Sequence, residues 1–277
     1  MLMSDLGLKP YTDTACHNEE IKPLTRYRFD RVRLRSRLKE SVSRLVTIVF
    51  PELETLVSSI HLSSVYALLY EFPGSRQIAD THLARLKALA RKASAGNLSE
   101  ENVVQIREAA RCSAGTAIAS KSLELRNTIG LIRALDNEVR EIEKEIQAIL
   151  TQMPSPITTI PGMGFRMGAM ILEEIGDFSR FSSPDKILAY AEMPPSTYQS
   201  GHLTNGYAHM EKRGSRYLRY AIFNATKYVC LWEPAFAAYL AKKRAEGKHD
   251  NVAVSHAAKN LVRLICAMEI SRQPFHS

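Results

Sequence analysis

LELRNTIGLIRALDNEVREIEKEIQAIL, residues 123–150, is the stretch from which the fold class is read. Leu125, Ile132, Val139 and Ile146 stand seven apart, and Leu135, Ile142 and Ile149 form a second seam whose polar member is Thr128. Glu, Lys and Arg fill the flanks. Apolar residues at the a and d positions of a heptad keep one stripe turned towards a partner helix, so the spacing predicts a coiled coil or a long helical hairpin. The partner is either an Arg-rich helix upstream or a second subunit.

That upstream helix is expected from Leu24 to Phe50, where Leu34, Leu38, Val42, Leu45 and Val49 follow i+3/i+4 steps. Pro23 precedes it and Pro51 ends it, while the first twenty or so residues give no clear element. It carries Arg26, Arg28, Arg31, Arg33, Arg35, Arg37, Lys39 and Arg44 against Asp30 and Glu40, with Tyr27 and Phe29 interleaved. A solvated helix face ordinarily mixes signs. A nearly single-signed one predicts a nucleic-acid-facing surface, with Arg26, Arg33 and Arg37 as DNA contacts. Short helices broken at Pro73-Gly74 and Gly96-Asn97 follow, and Ser99 before EENVVQIREAA reads as a helix N-cap.

Beyond the heptads, MPSP (residues 153–156) breaks the helix and marks a boundary. Ile160-Pro161-Gly162-Met163-Gly164 then resembles the turn of a helix-hairpin-helix DNA-binding element. Glycines at 162 and 164 would let the backbone approach a phosphate, and the next helix N-terminus would offer unpaired N–H groups. Glu173, Glu174 and Asp177 are expected to be solvated. The turn-rich segment PPSTYQSGHLTNGYAHMEKRGSRYLR, residues 194–219, holds Ser200-Gly201 and then Lys212, Arg213, Arg216 and Arg219. The three arginines recur every third residue and share roughly one helix face. A hydroxyl beside cations suits a phosphodiester, whose attack needs a nucleophile and neutralised oxygens. Helices are expected from Ser215 to about Trp232, in a shorter segment after Pro234, and from Asn251 to Ser271. Leu218, Ile222, Ala225 and Val229 form the apolar stripe of the first, and Tyr228 is expected to be partly buried.

Composition bounds the function. The 277 residues carry a net charge of +8 and are 45% hydrophobic, which favours a folded chain with a polyanionic partner. Cys16, Cys112, Cys230 and Cys266 lack metal-ligand spacing and fit a reducing cytoplasm better than a disulfide framework. No run of apolar residues is long enough to span a membrane. The reading is mainly α: a basic helix and coiled-coil region over 21–152, then a compact helical domain over 153–277.

From Leu24 onward the chain resembles the IS-one-ten / IS-eleven-eleven family of insertion-sequence transposases, relatives of the Piv-type DNA invertases. The resemblance is carried by TRYRFDRVRLRSRLKESVSRL, FPELE, IPGMGFRMGAMILEEIGDFSRFSSPDKILAYAEMPPSTYQSG, EKRGSRYLR and VSHAAKNLVRLI, in the family's order. It implies a C-terminal serine transposase domain in which Ser200, within P-S-x-x-x-S-G, attacks a DNA phosphodiester, with Ser196 as the alternative nucleophile. It further implies Mg²⁺ bound by a DEDD set in an N-terminal RuvC-like half, a guide RNA, element-end and target DNA as partners, and homo-oligomers (dimer or tetramer). The T-D-x-x-D-A block of that half does not occur here. Residues 1–20 therefore read as residual linker, the Mg²⁺ ligands are expected to be absent from this chain, and the chain is expected to be a truncated transposase. The alternative is a catalytically inactive nucleic-acid-binding regulator that joins a full-length transposase oligomer.

Overall fold

A computed structural model describes residues 17–93, 98–191, 199–200, 203–204 and 214–276. In chain order the helices are α1 (His17–Val49), α2 (Leu53–Leu56), α3 (Ser63–Glu71), α4 (Ser75–Asp80), α5 (Leu83–Ala93), α6 (Glu100–Arg111) and α7 (Ala119–Gln152). A 3-10 turn (Pro156–Thr159) leads to α8 (Phe165–Ile175), and a second (Phe178–Arg180) to α9 (Pro184–Tyr190). Two-residue strands β1 (Gln199–Ser200) and β2 (Leu203–Thr204) precede α10 (Arg216–Trp232), α11 (Pro234–Ala245) and α12 (Asp250–Ser271). The mainly α expectation holds. The chain divides into two compact units, Met1–Phe29 with Ile142–Ser277, and Asp30–Glu141. The division therefore falls within α1 and α7, whereas the sequence suggested a boundary near residue 152.

In the 30–141 unit the heptad seam meets its partner inside the chain. Val42, Leu45, Val46 and Val49 of α1 share a core with Leu125, Ile129 and Ile132 of α7, closed by Leu53, Leu69, Ile78, Leu86 and Ile106. Arg31 pairs with Glu138 at 3.8 Å and Arg35 with Asp136 at 2.5 Å. Rising numbers on α1 meet falling numbers on α7, so the two helices run antiparallel. Of the partners left open by the sequence, the Arg-rich helix takes the seam. The nearly single-signed charge of α1 is partly offset here, because Arg31 and Arg35 meet acids on α7 that a charge count along one helix cannot see. The Ser99 cap forms as expected: its hydroxyl accepts the Asn102 N–H at 3.1 Å, and the Asn102 side chain accepts the Ser99 N–H at 3.3 Å.

In the other unit, α8, α10 and α12 pack together, and the predicted stripe Leu218, Ile222, Ala225 and Val229 is fully buried. It joins Ile157, Met170, Ile171, Ile175, Leu261 and Ile265 in one core that Phe29 also enters. The seam continues here through Ile142 and Ile146, packed with Ala169, Leu24 and Phe165. Glu143 takes Arg28 at 2.7 Å and both nitrogens of the Arg166 fork at 2.6 and 2.7 Å. Burial pushes the Glu143 carboxyl up, but the two guanidinium groups outweigh it and hold it below the usual carboxylate range.

Two local expectations change. Helix α1 starts at His17 and contains Pro23. Ile21, fully buried, anchors the turn before that proline by tertiary packing. The IPGMG turn follows a 3-10 turn, not an α-helix, and so lacks the first helix of a helix-hairpin-helix.

Candidate functional site at the base of the Ser200 segment

The chain leaves α9 at Ala191 and re-enters a helix at Ser215, and these two points touch. The Ser215 N–H donates to the Tyr190 carbonyl at 3.1 Å, and Arg219 Nη1 donates to the Ala191 carbonyl at 3.3 Å. Ser215 caps α10 by accepting the Leu218 N–H at 3.1 Å, and its hydroxyl donates to Glu174 Oε2 at 2.7 Å. Glu174, on α8, also receives Arg26 of α1, with Nε to Oε1 at 2.6 Å and Nη2 to Oε2 at 3.0 Å. One buried carboxylate thus ties α1, α8 and the start of α10 together. A bidentate, charge-assisted contact of this kind fixes orientation as well as distance.

The expectation that Glu173 and Glu174 are solvated is overturned, since they are 3% and 2% exposed. Helix α8 is enclosed along most of its length, so its carboxylates must find partners or change protonation. For Glu174, burial raises the pKa, but hydrogen bonds from Arg26 and Ser215 and the charges of Arg26 and Lys22 more than reverse this, leaving it below the usual range and ionised. The same hydrogen bond raises Arg26. Glu173 behaves oppositely: burial, helped by the Glu174 charge and opposed by Lys22, pushes it up to about 7. Glu173 lines a cavity of about 840 Å³ with Asp177, Glu269, Leu172 and Phe178. Glu269 there pairs with Arg272 at 3.1 Å and accepts the Ser155 hydroxyl.

Aromatic rings complete the base. Phe29 meets Tyr217 and Tyr220 edge-on, with centroids 5.1 and 4.7 Å apart. The Arg26 and Arg216 guanidinium groups lie 4.9 and 4.7 Å from the Tyr217 ring centroid. Cations against the negative ring face are held in place without cancelling their charge.

Of the sequence-predicted residues, Ser200 lies on β1 opposite Leu203, with Gln199 opposite Thr204. Ser196, Lys212 and Arg213 lie outside the described residues. Arg216 and Arg219 stand on the first turn of α10, as the three-residue spacing predicted, with Arg219 turned back to Ala191. Arg26, expected as a DNA contact, pairs with Glu174, and its side chain is 40% exposed. Arg33 and Arg37 are exposed on the half of α1 in the other unit. Gly162 has φ +84°, and a Cβ there would stand 2.6 Å from the Tyr228 carbonyl oxygen. Its close backbone approach is therefore to α10. Gly164 is the N-cap residue of α8 with open space around its Cα.

Sequence reasoning missed the Arg26–Glu174–Ser215 tie. A serine one residue before a helix is a readable cap signal, but Arg26 and Glu174 are 148 positions apart and carry no local signature. Mg²⁺ was implied by resemblance. Among the described residues no group of three or more His, Cys, Asp or Glu side chains could hold a metal, and Glu174 is filled by Arg26 and Ser215. The residues described do not fit the ion, and no step below passes through it.

Comparison with known proteins finds a family model that matches the segment around this base. Residues 155–241, which include Glu174, Ser200 and Ser215, match the family model described as Transposase IS116/IS110/IS902 family. Over 140 residues the chain is 31% identical to the insertion element IS110 uncharacterized 43.6 kDa protein of Streptomyces coelicolor, covering 50% of this chain and 34% of that protein. It is 24% identical over 254 residues to the insertion element IS116 uncharacterized 44.8 kDa protein of Streptomyces clavuligerus, covering 90% and 63%. It is 25% identical over 151 residues to the pilin gene-inverting protein of Moraxella bovis, covering 52% and 47%. The chain thus spans between about a third and just under two thirds of the length of these relatives. Residues 155–241 thus carry the signature of the IS116/IS110/IS902 transposase family, and the chain is similar to insertion-element proteins and to a pilin gene-inverting protein.

Proposed function

We propose that the chain takes part in DNA transposition or site-specific inversion as a DNA-binding recombinase, with the Ser200 hydroxyl as nucleophile. The observation that supports this most is the tie at the base. Ser215 and Arg219 join the two ends of the segment bearing Ser200, Lys212 and Arg213 at Tyr190 and Ala191, and Arg26 with Glu174 seats the Ser215 end. A segment fixed at both ends can hold a hydroxyl and cations around one phosphate with less ordering cost than an open loop. The N-terminus of α10, with Arg216 on its first turn, adds a partial positive charge suited to non-bridging phosphate oxygens.

In the proposed step the Ser200 oxygen forms a bond to phosphorus and loses its proton. The bond from phosphorus to one DNA oxygen breaks, and that oxygen takes up a proton as a free strand hydroxyl. Attack by a hydroxyl of another strand on the phosphoserine then rejoins DNA and restores Ser200. Element ends and target DNA are the proposed substrates, and a guide RNA the proposed partner. No helix is long and apolar enough to cross a membrane among the described residues, which leaves the proposed DNA partner unopposed.

Covalent trapping tests the reading. The chain is incubated with end-labelled element-junction DNA, guide RNA and Mg²⁺, denatured, and examined for a protein–DNA adduct. An adduct retained in Ser196→Ala and lost in Ser200→Ala is the expected result. Loss only in Ser196→Ala would move the nucleophile to Ser196. Salt-sensitive binding without any adduct would favour the regulator that joins a transposase oligomer.

A further inference from the structure

The last turns of α10 carry an exposed aromatic face that the core does not use. Tyr228, Leu231 and Trp232 are 55%, 75% and 70% exposed, where Tyr228 was expected to be partly buried. Spaced three and four residues apart, they are neighbours on one side of the helix. The backbone beneath them is firmly seated: Gly162 packs directly on the Tyr228 carbonyl, and Pro234 opens α11 just beyond Trp232. Lys227, next to Tyr228 in the chain, is exposed, and its ammonium lies 4.7 Å from the Phe223 ring centroid. The adjoining acid, Glu233, is buried, with its carboxylate accepting the Ala235 N–H at 3.4 Å. No exposed negative charge therefore lies between Lys227 and Glu233.

Area and charge decide what this face suits. Three such side chains offer roughly 400 Å², about half of the ~800 Å² per partner of a stable protein interface, so a second copy is poorly served. A flat indole and phenol on a helix that also carries the exposed Lys227, with no acid among residues 227–232, match a base stacked on the ring and a phosphate held by the lysine. We propose that the Tyr228–Trp232 face of α10 is a stacking platform for an unpaired DNA strand. This rests on the DNA-recombinase reading above, because strand cleavage and exchange leave unpaired bases that need holding without sequence readout.

Trp232 is the chain's single tryptophan, so its fluorescence reports this face alone. Titration with oligo-dT is expected to quench it saturably, and a matched duplex to do so far less. By anisotropy of labelled oligonucleotide, Trp232→Ala is expected to weaken single-strand binding about tenfold and Trp232→Phe by only about twofold, with duplex affinity unchanged. Equal quenching by duplex, or no selective loss in Trp232→Ala, would overturn the platform while leaving DNA binding intact. Tighter binding and stronger quenching with oligo-U than with oligo-dT would overturn the DNA assignment. A dimer in sedimentation that Trp232→Ala dissolves would overturn it in favour of a second copy. Absence of all salt-sensitive binding would sink this proposal with the DNA reading, whereas an intact Ser200 adduct without Trp232 quenching would sink the platform only.

Discussion

Glu173 and Glu174 are adjacent in sequence and shifted in opposite directions from the ordinary carboxylate pKa, and each makes a prediction at the scale of a single side chain. Glu174 is held ionised by Arg26 and Ser215. Its stabilisation is present above the ordinary carboxylate pKa and is lost as pH falls through its lowered folded value. Arg26→Ala leaves a buried carboxylate with one hydroxyl donor, and is expected to cost about 3 kcal/mol in chemical denaturation at pH 7. A loss below about 0.5 kcal/mol would mean that the pair does not anchor the segment. Glu173, pushed up to about 7, holds a proton in the folded chain that the unfolded chain releases from an ordinary value of 4.5. Stability is therefore lost as pH rises through that window, by at most roughly 3 kcal/mol. Glu173→Gln is expected to melt higher than the parent at pH 8, and the margin should vanish towards pH 5 in calorimetry. An equal margin at both pH values would contradict the buried, protonated carboxyl.

At the scale of elements, the glycines of the IPGMG turn separate packing from ligand contact. Gly162→Ala must take a positive φ and place its Cβ 2.6 Å from the Tyr228 carbonyl oxygen, so neither conformation nor space allows it. A loss of about 2–4 kcal/mol is expected from strain together with displacement of α10. Gly164→Ala meets nothing within 4 Å and has an ordinary φ of −70°, so its stability should change by less than about 1 kcal/mol. Comparable losses for the two variants would contradict the seating of Gly162 on α10. The two glycines look alike in sequence, and the difference lies in which one a distant helix covers. Ser99, by contrast, was legible as a cap because its partner is three residues away; Ser99→Ala is expected to cost about 1 kcal/mol by thermal melting.

For the whole molecule, the excess of 37 basic over 29 acidic residues has to be distributed before it says anything about a partner. Arg26, Arg28, Arg31 and Arg35 all face carboxylates, so four of the seven arginines of α1 contribute to packing. Arg33 and Arg37 are exposed on the same helix. Arg37→Glu is expected to lower DNA affinity and to reduce the slope of log affinity against log salt by about 1, with the melting temperature kept. Arg28→Ala should instead lower the melting temperature, because Glu143 loses a buried partner. A melting loss in Arg37→Glu, with the salt slope intact, would place that arginine in the fold.

What the sequence determined by itself follows from its local periodicities. The heptads of α7, the stripe of α10 and the Ser99 cap are fixed by neighbours within one or two turns, where backbone geometry alone brings residues together. The order of several motif blocks likewise pointed to the family whose model residues 155–241 match. Tertiary structure alone decided which helix fills the heptad seam, that Arg26 belongs to Glu174, that Gly162 seats α10 and that Trp232 stays outside. Each depends on contacts between residues far apart in the chain. Burial and charge pairing at such distances are properties of the packed arrangement, and no periodicity along the sequence encodes them.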